Sequence, residues 1–120
     1  MPKQIILYNL QDGVSEEDYI KWCEDYKGPV MLGVKSAKRF TLLRILQGEK
    51  GDGQRGIEPA AVKSPYRFIG IMDIEGLEEW RTNTAASKKF SEEFASEWFS
   101  KWAADFYALD AEEVYDRANK

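Results

Sequence analysis

The chain has 120 residues, 43% of them hydrophobic and 13% aromatic, which is enough for one buried core and too little for two domains. Its 17 basic and 21 acidic residues leave a net charge of −4, and the basic residues are scattered, so no nucleic-acid footprint is present. It contains no histidine, which excludes a Ser-His-Asp triad, a Cys-His pair, and histidine-ligated zinc or haem built from this chain alone.

The segment "QIILYNL" (Gln4–Leu10) has the length and aliphatic content of a first strand. With one positive charge before it and a polar Asn9 inside it, the start reads as a strand and not as a signal peptide. No apolar run approaches the roughly 20 residues needed to cross a bilayer. A cytoplasmic protein without a membrane partner is the expectation. Asp12-Gly13 closes the strand, and Ser15 followed by Glu16, Glu17 and Asp18 supplies an N-cap and an acidic first turn. Tyr19, Trp22, Cys23 and Tyr26 then share one helical face. Gly28-Pro29 predicts that this helix ends or kinks near Lys27, with a looser turn to about Lys35.

"KRFTLLRIL" (Lys38–Leu46) reads as the second strand and "YRFIGIMDI" (Tyr66–Ile74) as the third. Helix follows in two pieces, with Asn83 or Thr84 as the expected cap of the second piece. Phe90, Phe94, Trp98 and Trp102 recur every fourth residue as its buried stripe. "DFYAL" (Asp105–Leu109) is a last short strand. The whole reads as a single domain over 1–120, with a flexible loop at about 48–64 and a polar tail at about 111–120. The order β-α-β-β-α-β predicts an α+β, ferredoxin-like fold: a four-stranded antiparallel sheet, strands one and three central, both helical segments on one face.

The strands carry a further expectation. Ile5-Ile6-Leu7-Tyr8 and Phe68-Ile69-Gly70-Ile71-Met72 are apolar on both faces, whereas a sheet with one wet face should alternate. The helices cover one face. A second copy of the chain is the expected cover for the other, giving a homodimer with a barrel-like centre.

The loop contains "GDGQRG" (Gly51–Gly56), which fits the dinucleotide fingerprint G-x-G-x-x-G. A strand precedes it, but Pro59 and Pro65 leave no room for the helix whose N-terminus would hold a pyrophosphate, and the loop joins strands expected to pair as a hairpin. It reads as a chance match, and no cofactor is expected.

The candidate ligand-binding residues are five aromatics together with Arg44 and Asn83. Tyr8, Trp22, Tyr26, Trp80 and Trp98 are expected to converge between sheet and helices, where they either line a pocket for a flat aromatic ligand or simply form the core. Arg44 shares a strand face with Phe40, Leu42 and Leu46; it is placed to clamp a carboxylate or phenolate, to pair with an acid such as Asp73 or Glu75, or to snorkel. Without histidine, the weak candidates for catalysis are Tyr8, Asn83 and Arg44, a hydroxyl or an amide polarising a carbonyl while the guanidinium holds an anion. Cys23 reads as a small core hydrophobe, and the acidic pairs read as solvated helix faces.

The stretch from "IILYNLQDGVSEEDYIKWCEDYKGPV" to "SPYRFIGIMDIEGLEEW" resembles the dimeric α+β barrel superfamily, and within it the REDY-like, HapK-type proteins that accompany prodigiosin-type pigment biosynthesis. The resemblance implies a small dimer with a pocket in each protomer between sheet and helices, near Tyr8, Trp22, Tyr26, Trp80 and Trp98. Several relatives use a histidine; around Thr84-Ala85-Ala86-Ser87, where cyclase-like members place one, this chain has small residues. The expected function is binding of an aromatic, polyketide- or pyrrole-like intermediate of secondary metabolism, with or without catalysis. The alternatives are a non-catalytic binding or assembly module and a cofactor-free monooxygenase.

Overall fold

The computed structural model describes residues 1–46, 48–50, 60–62 and 64–118. Strand β1 (Lys3–Leu10) turns through Gly13, whose φ of 82° suits a residue without a side chain. Helix α1 (Glu16–Trp22) starts where the sequence predicts: the Ser15 hydroxyl accepts from the Asp18 amide at 3.2 Å, above an acidic first turn.

The helix does not end at Lys27. It widens into π-helical turns over Cys23–Lys27 and continues as α2 (Gly28–Leu32). The Gly28 amide bonds the carbonyl of Cys23, five residues back, and a β-carbon at Gly28 would stand 3.1 Å from that carbonyl oxygen. The glycine thus lets the wide turn close tightly, and Pro29 sits in the first turn of the new segment, where a missing N–H costs little. The Gly-Pro pair marks a change of helical register and not a stop.

Strands β2 (Ala37–Arg44) and β5 (Phe68–Ile74) are antiparallel neighbours. Between them Gly48–Lys50 (β3) pairs with Ala60–Val62 (β4), so the ends of the expected loop form a short ladder. Gly51–Gly56 lies outside the described residues. Helix α3 (Leu77–Ala86) ends at an extended Ser87, whose hydroxyl accepts from the Phe90 amide at 3.2 Å. Ser87 therefore caps the second helical piece, where Asn83 or Thr84 was expected. That piece runs through π-helical Lys89–Phe94, α4 (Ala95–Glu97) and π-helical Trp98–Trp102 into β6 (Ala103–Ala111).

The four-stranded sheet has the order β2-β5-β1-β6, all antiparallel, as the connectivity predicts. A bulge sets Asp105 and Phe106 opposite Tyr8, and Asp105 takes a φ of 51° there. Tyr8, Phe68, Met72 and Ile74 point from the sheet into the helices and are buried with Tyr19, Cys23, Val30, Met31, Trp80, Phe94 and Trp98. The register puts Leu43, Ile69, Leu7 and Tyr107 in one row across the opposite face, and Thr41, Ile71, Ile5 and Leu109 in the next. No element of the described chain packs over these two rows, and Tyr107 is 60% exposed.

Candidate functional site

One charged side chain lies at the centre of the apolar layer. Lys27 is 2% exposed. It occupies the last π-helical position, one step of four residues beyond Cys23 on the line of Tyr19 and Cys23, so it points toward the sheet. Its ammonium sits over the rings of Trp98 (4.9 Å to the centroid), Tyr8 (5.0 Å), Phe40 (5.3 Å), Tyr19 (5.7 Å) and Phe94 (6.0 Å). Among the described residues it has no carboxylate partner. Burial pushes its pKa down from the usual lysine value of 10.5 to about 8.

Its hydrogen bonds go to two phenols. Nζ donates to Tyr19 Oη at 3.1 Å and, more weakly, to Tyr8 Oη at 3.4 Å. Trp98 Nε1 also donates to Tyr19 Oη, at 2.9 Å. A phenol oxygen has two acceptor positions and one proton. With both acceptor positions of Tyr19 taken by Trp98 and Lys27, its own proton must go to Tyr8 Oη, 2.6 Å away. The proton of Tyr8 is then left without an acceptor among the described residues. Burial raises the pKa of both phenols well above the tyrosine range, so both stay protonated. Burial also pushes the Cys23 thiol up, which leaves it the core hydrophobe its position predicts.

The hub of this network is Tyr19. Tyr19→Phe is expected to cost about 2–3 kcal/mol in urea denaturation, because the indole N–H of Trp98 loses its acceptor and Lys27 loses its nearer one. Tyr8→Phe is expected to cost less, about 1–2 kcal/mol, because Trp98 and Lys27 keep Tyr19 as acceptor and only the Tyr19 proton loses its own.

The predicted residues divide into three groups. Tyr8, Trp22, Tyr26 and Trp98 belong to one continuous aromatic layer: Trp22 stacks on Tyr19, Phe94 and Trp102, and Tyr26 packs on Trp22. Trp80 stands at its margin, edge-on to Phe90, with its indole N–H on Gln4 Oε1 at 3.0 Å. Arg44 and Asn83 lie outside. Arg44 pairs with Glu17 at 2.9 Å and Glu16 at 3.5 Å, acids of α1 and not Asp73 or Glu75. Asn83 donates to the Lys35 carbonyl and the Ser36 hydroxyl, holding a turn in which Ser36 has a φ of 79°. Both side chains thus make structural contacts. Sequence reasoning missed Lys27 and the role of Tyr19. The signal was the spacing 19, 23, 27, which puts a lysine on the buried stripe.

Neighbouring rings of the layer stand 5.1 to 6.4 Å apart, centroid to centroid. A cleft of about 470 Å³ lies beside it, between α1, α2 and β2, with Cys23, Gly28 and Phe40 among its walls. A second cleft, about 720 Å³, lies at the β1–α1 turn and is polar, with Glu16 and Arg67 in a two-point ion pair. The lone amine and phenols are not in it. Among the described residues no three cysteine, aspartate or glutamate side chains gather as a metal set, and no helix is long and apolar enough to cross a membrane. Buried Trp102 Nε1, by contrast, has no acceptor among the described residues.

Comparison with known proteins agrees with this fold. A protein from Arabidopsis thaliana superposes with a TM-score of 0.70 at 16% identity, over 98% of this chain and 100% of its own. HapK from Hahella chejuensis gives 0.67 at 13%, with 100% of both chains covered. A Bacteroides fragilis protein described as dimeric, of unknown function and ferredoxin-like fold gives 0.57 at 12%, over 93% of this chain and 95% of its own. No curated protein matches the chain in sequence. The family described as REDY-like protein HapK matches residues 2–114, nearly the whole chain, and the protein belongs to that family.

Proposed function

We propose that the protein binds a small aromatic molecule bearing a carbonyl or phenolate oxygen, at the Lys27–Tyr8–Tyr19 centre between sheet and helices. The observation that carries this reading is the solitary buried ammonium. Holding a charge in an apolar core costs several kcal/mol, and this one has no counter-charge among the described residues. A core built for stability alone would hold a methionine or leucine here. The ammonium and the unassigned proton of Tyr8 are two donors that would bind the same oxygen and stabilise negative charge on it. The surrounding rings suit a flat apolar partner. The family membership supports an intermediate of secondary metabolism handled in the cytoplasm. The bare sheet face and the dimeric relatives support a homodimer, formed by two such faces packing together.

A panel of phenolic and pyrrolic compounds tests the reading through the tryptophan fluorescence. Saturable quenching in the wild type, weakened at least about tenfold by Lys27→Met (about 1.4 kcal/mol of binding), is expected. No quenching at millimolar ligand would remove the reading. Exposed Phe99 and Phe106, packed 5.1 Å apart on the helical side, favour a second reading, a non-catalytic assembly module. That module predicts quenching indifferent to Lys27.

A further inference from the structure

The cleft between α1, α2 and β2 reaches toward Lys27, and Phe40 is the partition. The ring of Phe40 lines the cleft and lies 5.3 Å from Lys27 Nζ. It is only partly buried, and glycines bracket it. A β-carbon at Gly28 would stand 3.9 Å from one edge of the ring, and one at Gly70 would stand 3.7 Å from the other. No side chain stands against the ring at either place. Ile20, Leu32 and Leu42 make the rest of the passage apolar.

We propose that Lys27 is an imine-forming lysine: an apolar aldehyde or ketone enters by this cleft, past Phe40, and condenses with Nζ. The proposal rests on the reading of the aromatic layer as a ligand site and names its chemistry. The Nζ lone pair attacks the carbonyl carbon, and a proton moves from nitrogen to oxygen, giving a carbinolamine. The nitrogen lone pair then expels the hydroxyl group, which takes the proton of Tyr8 and leaves as water. The phenolate so formed recovers a proton from the iminium nitrogen, leaving a neutral imine and an unchanged tyrosine. No oxidant or reductant is consumed.

The surroundings fit this sequence. The titratable groups facing the amine are Tyr8 from β1 and Tyr19 and Cys23 from the first helix; Phe40, Phe94 and Trp98 close the remaining sides with uncharged rings. The amine is about half neutral near pH 8, against well under 1% for an exposed lysine. Tyr19 holds Tyr8 in place by a bond that does not use the proton Tyr8 must give.

The test is reductive trapping on the wild-type protein. With 4-hydroxybenzaldehyde and cyanoborohydride at pH 8, peptide mass mapping is expected to find Lys27 modified about tenfold or more faster than exposed Lys21 or Lys101. Leu42→Trp, which narrows the cleft, is expected to slow Lys27 labelling while leaving the labelling of those surface lysines unchanged. Labelling spread evenly over exposed lysines, or an unmodified Lys27, overturns the proposal. Fluorescence quenching by the same aldehyde separates the two ideas: saturable quenching without an adduct removes the imine and keeps the binding site, whereas neither signal removes both.

Discussion

Urea denaturation of the protein, compared pH by pH with Lys27→Met, is expected to show stability rising by about 2 kcal/mol relative to that variant between pH 7 and pH 10. The cause is Lys27. Its pKa is about 8 folded and near 10.5 unfolded, so between those values the unfolded chain holds more protons than the folded one. The contribution of Lys27 to stability therefore increases as pH rises through that window and is at its lowest below pH 8. From about pH 9 upward buried Cys23, Tyr8 and Tyr19 act in the opposite sense in both proteins, because they keep protons that their unfolded counterparts lose. Lys27→Met should remove that contribution and add about 2 kcal/mol at pH 7, as replacing a buried charge by an apolar side chain of similar length commonly does. A difference between wild type and Lys27→Met that stays flat from pH 7 to 10, or a destabilised Lys27→Met, would mean that the amine is hydrated or paired in solution.

The second large effect concerns the bare face of the sheet. Ile71 lies at its middle, on central strand β5, opposite Ile5 of β1 and Thr41 of β2. If two such faces meet, Ile71→Arg places two unpaired charges in the centre of the interface, and light scattering is expected to show a dimer becoming a monomer. Glu92→Arg, on an exposed helical surface, should leave the dimer intact. A wild-type monomer at micromolar concentration would contradict the sheet-to-sheet pairing.

The sheet order and the two-sided apolar character of β1 and β5 were legible because strand residues alternate faces, and both faces here are apolar. The aromatic layer was legible because Tyr8, Trp22 and Trp98 fall on the correct phases of their elements. Three things were not. Gly28-Pro29 carries the same letters for a helix end and for a π-to-α register change, and only the Cys23 carbonyl distinguishes them. Arg44 and Asn83 were assigned by strand face or local sequence, while their partners come from α1 and the Ser36 turn, distant in sequence. Lys27 sits on a buried phase, yet a lysine there ordinarily extends its amine to water. Phe94 and Trp98, contributed about 70 residues later, close that route, and no local pattern encodes them.

The most direct measurement is a pH titration of the protein with lysine side chains labelled at Cε with carbon-13, without and with 4-hydroxyacetophenone. One resonance is expected to titrate near pH 8, to vanish in Lys27→Met, and to move first and saturably when the ketone is added. A spectrum in which no lysine resonance titrates near pH 8, or in which the Lys27 signal ignores the ketone while surface lysines respond, would contradict a functional centre built around this amine.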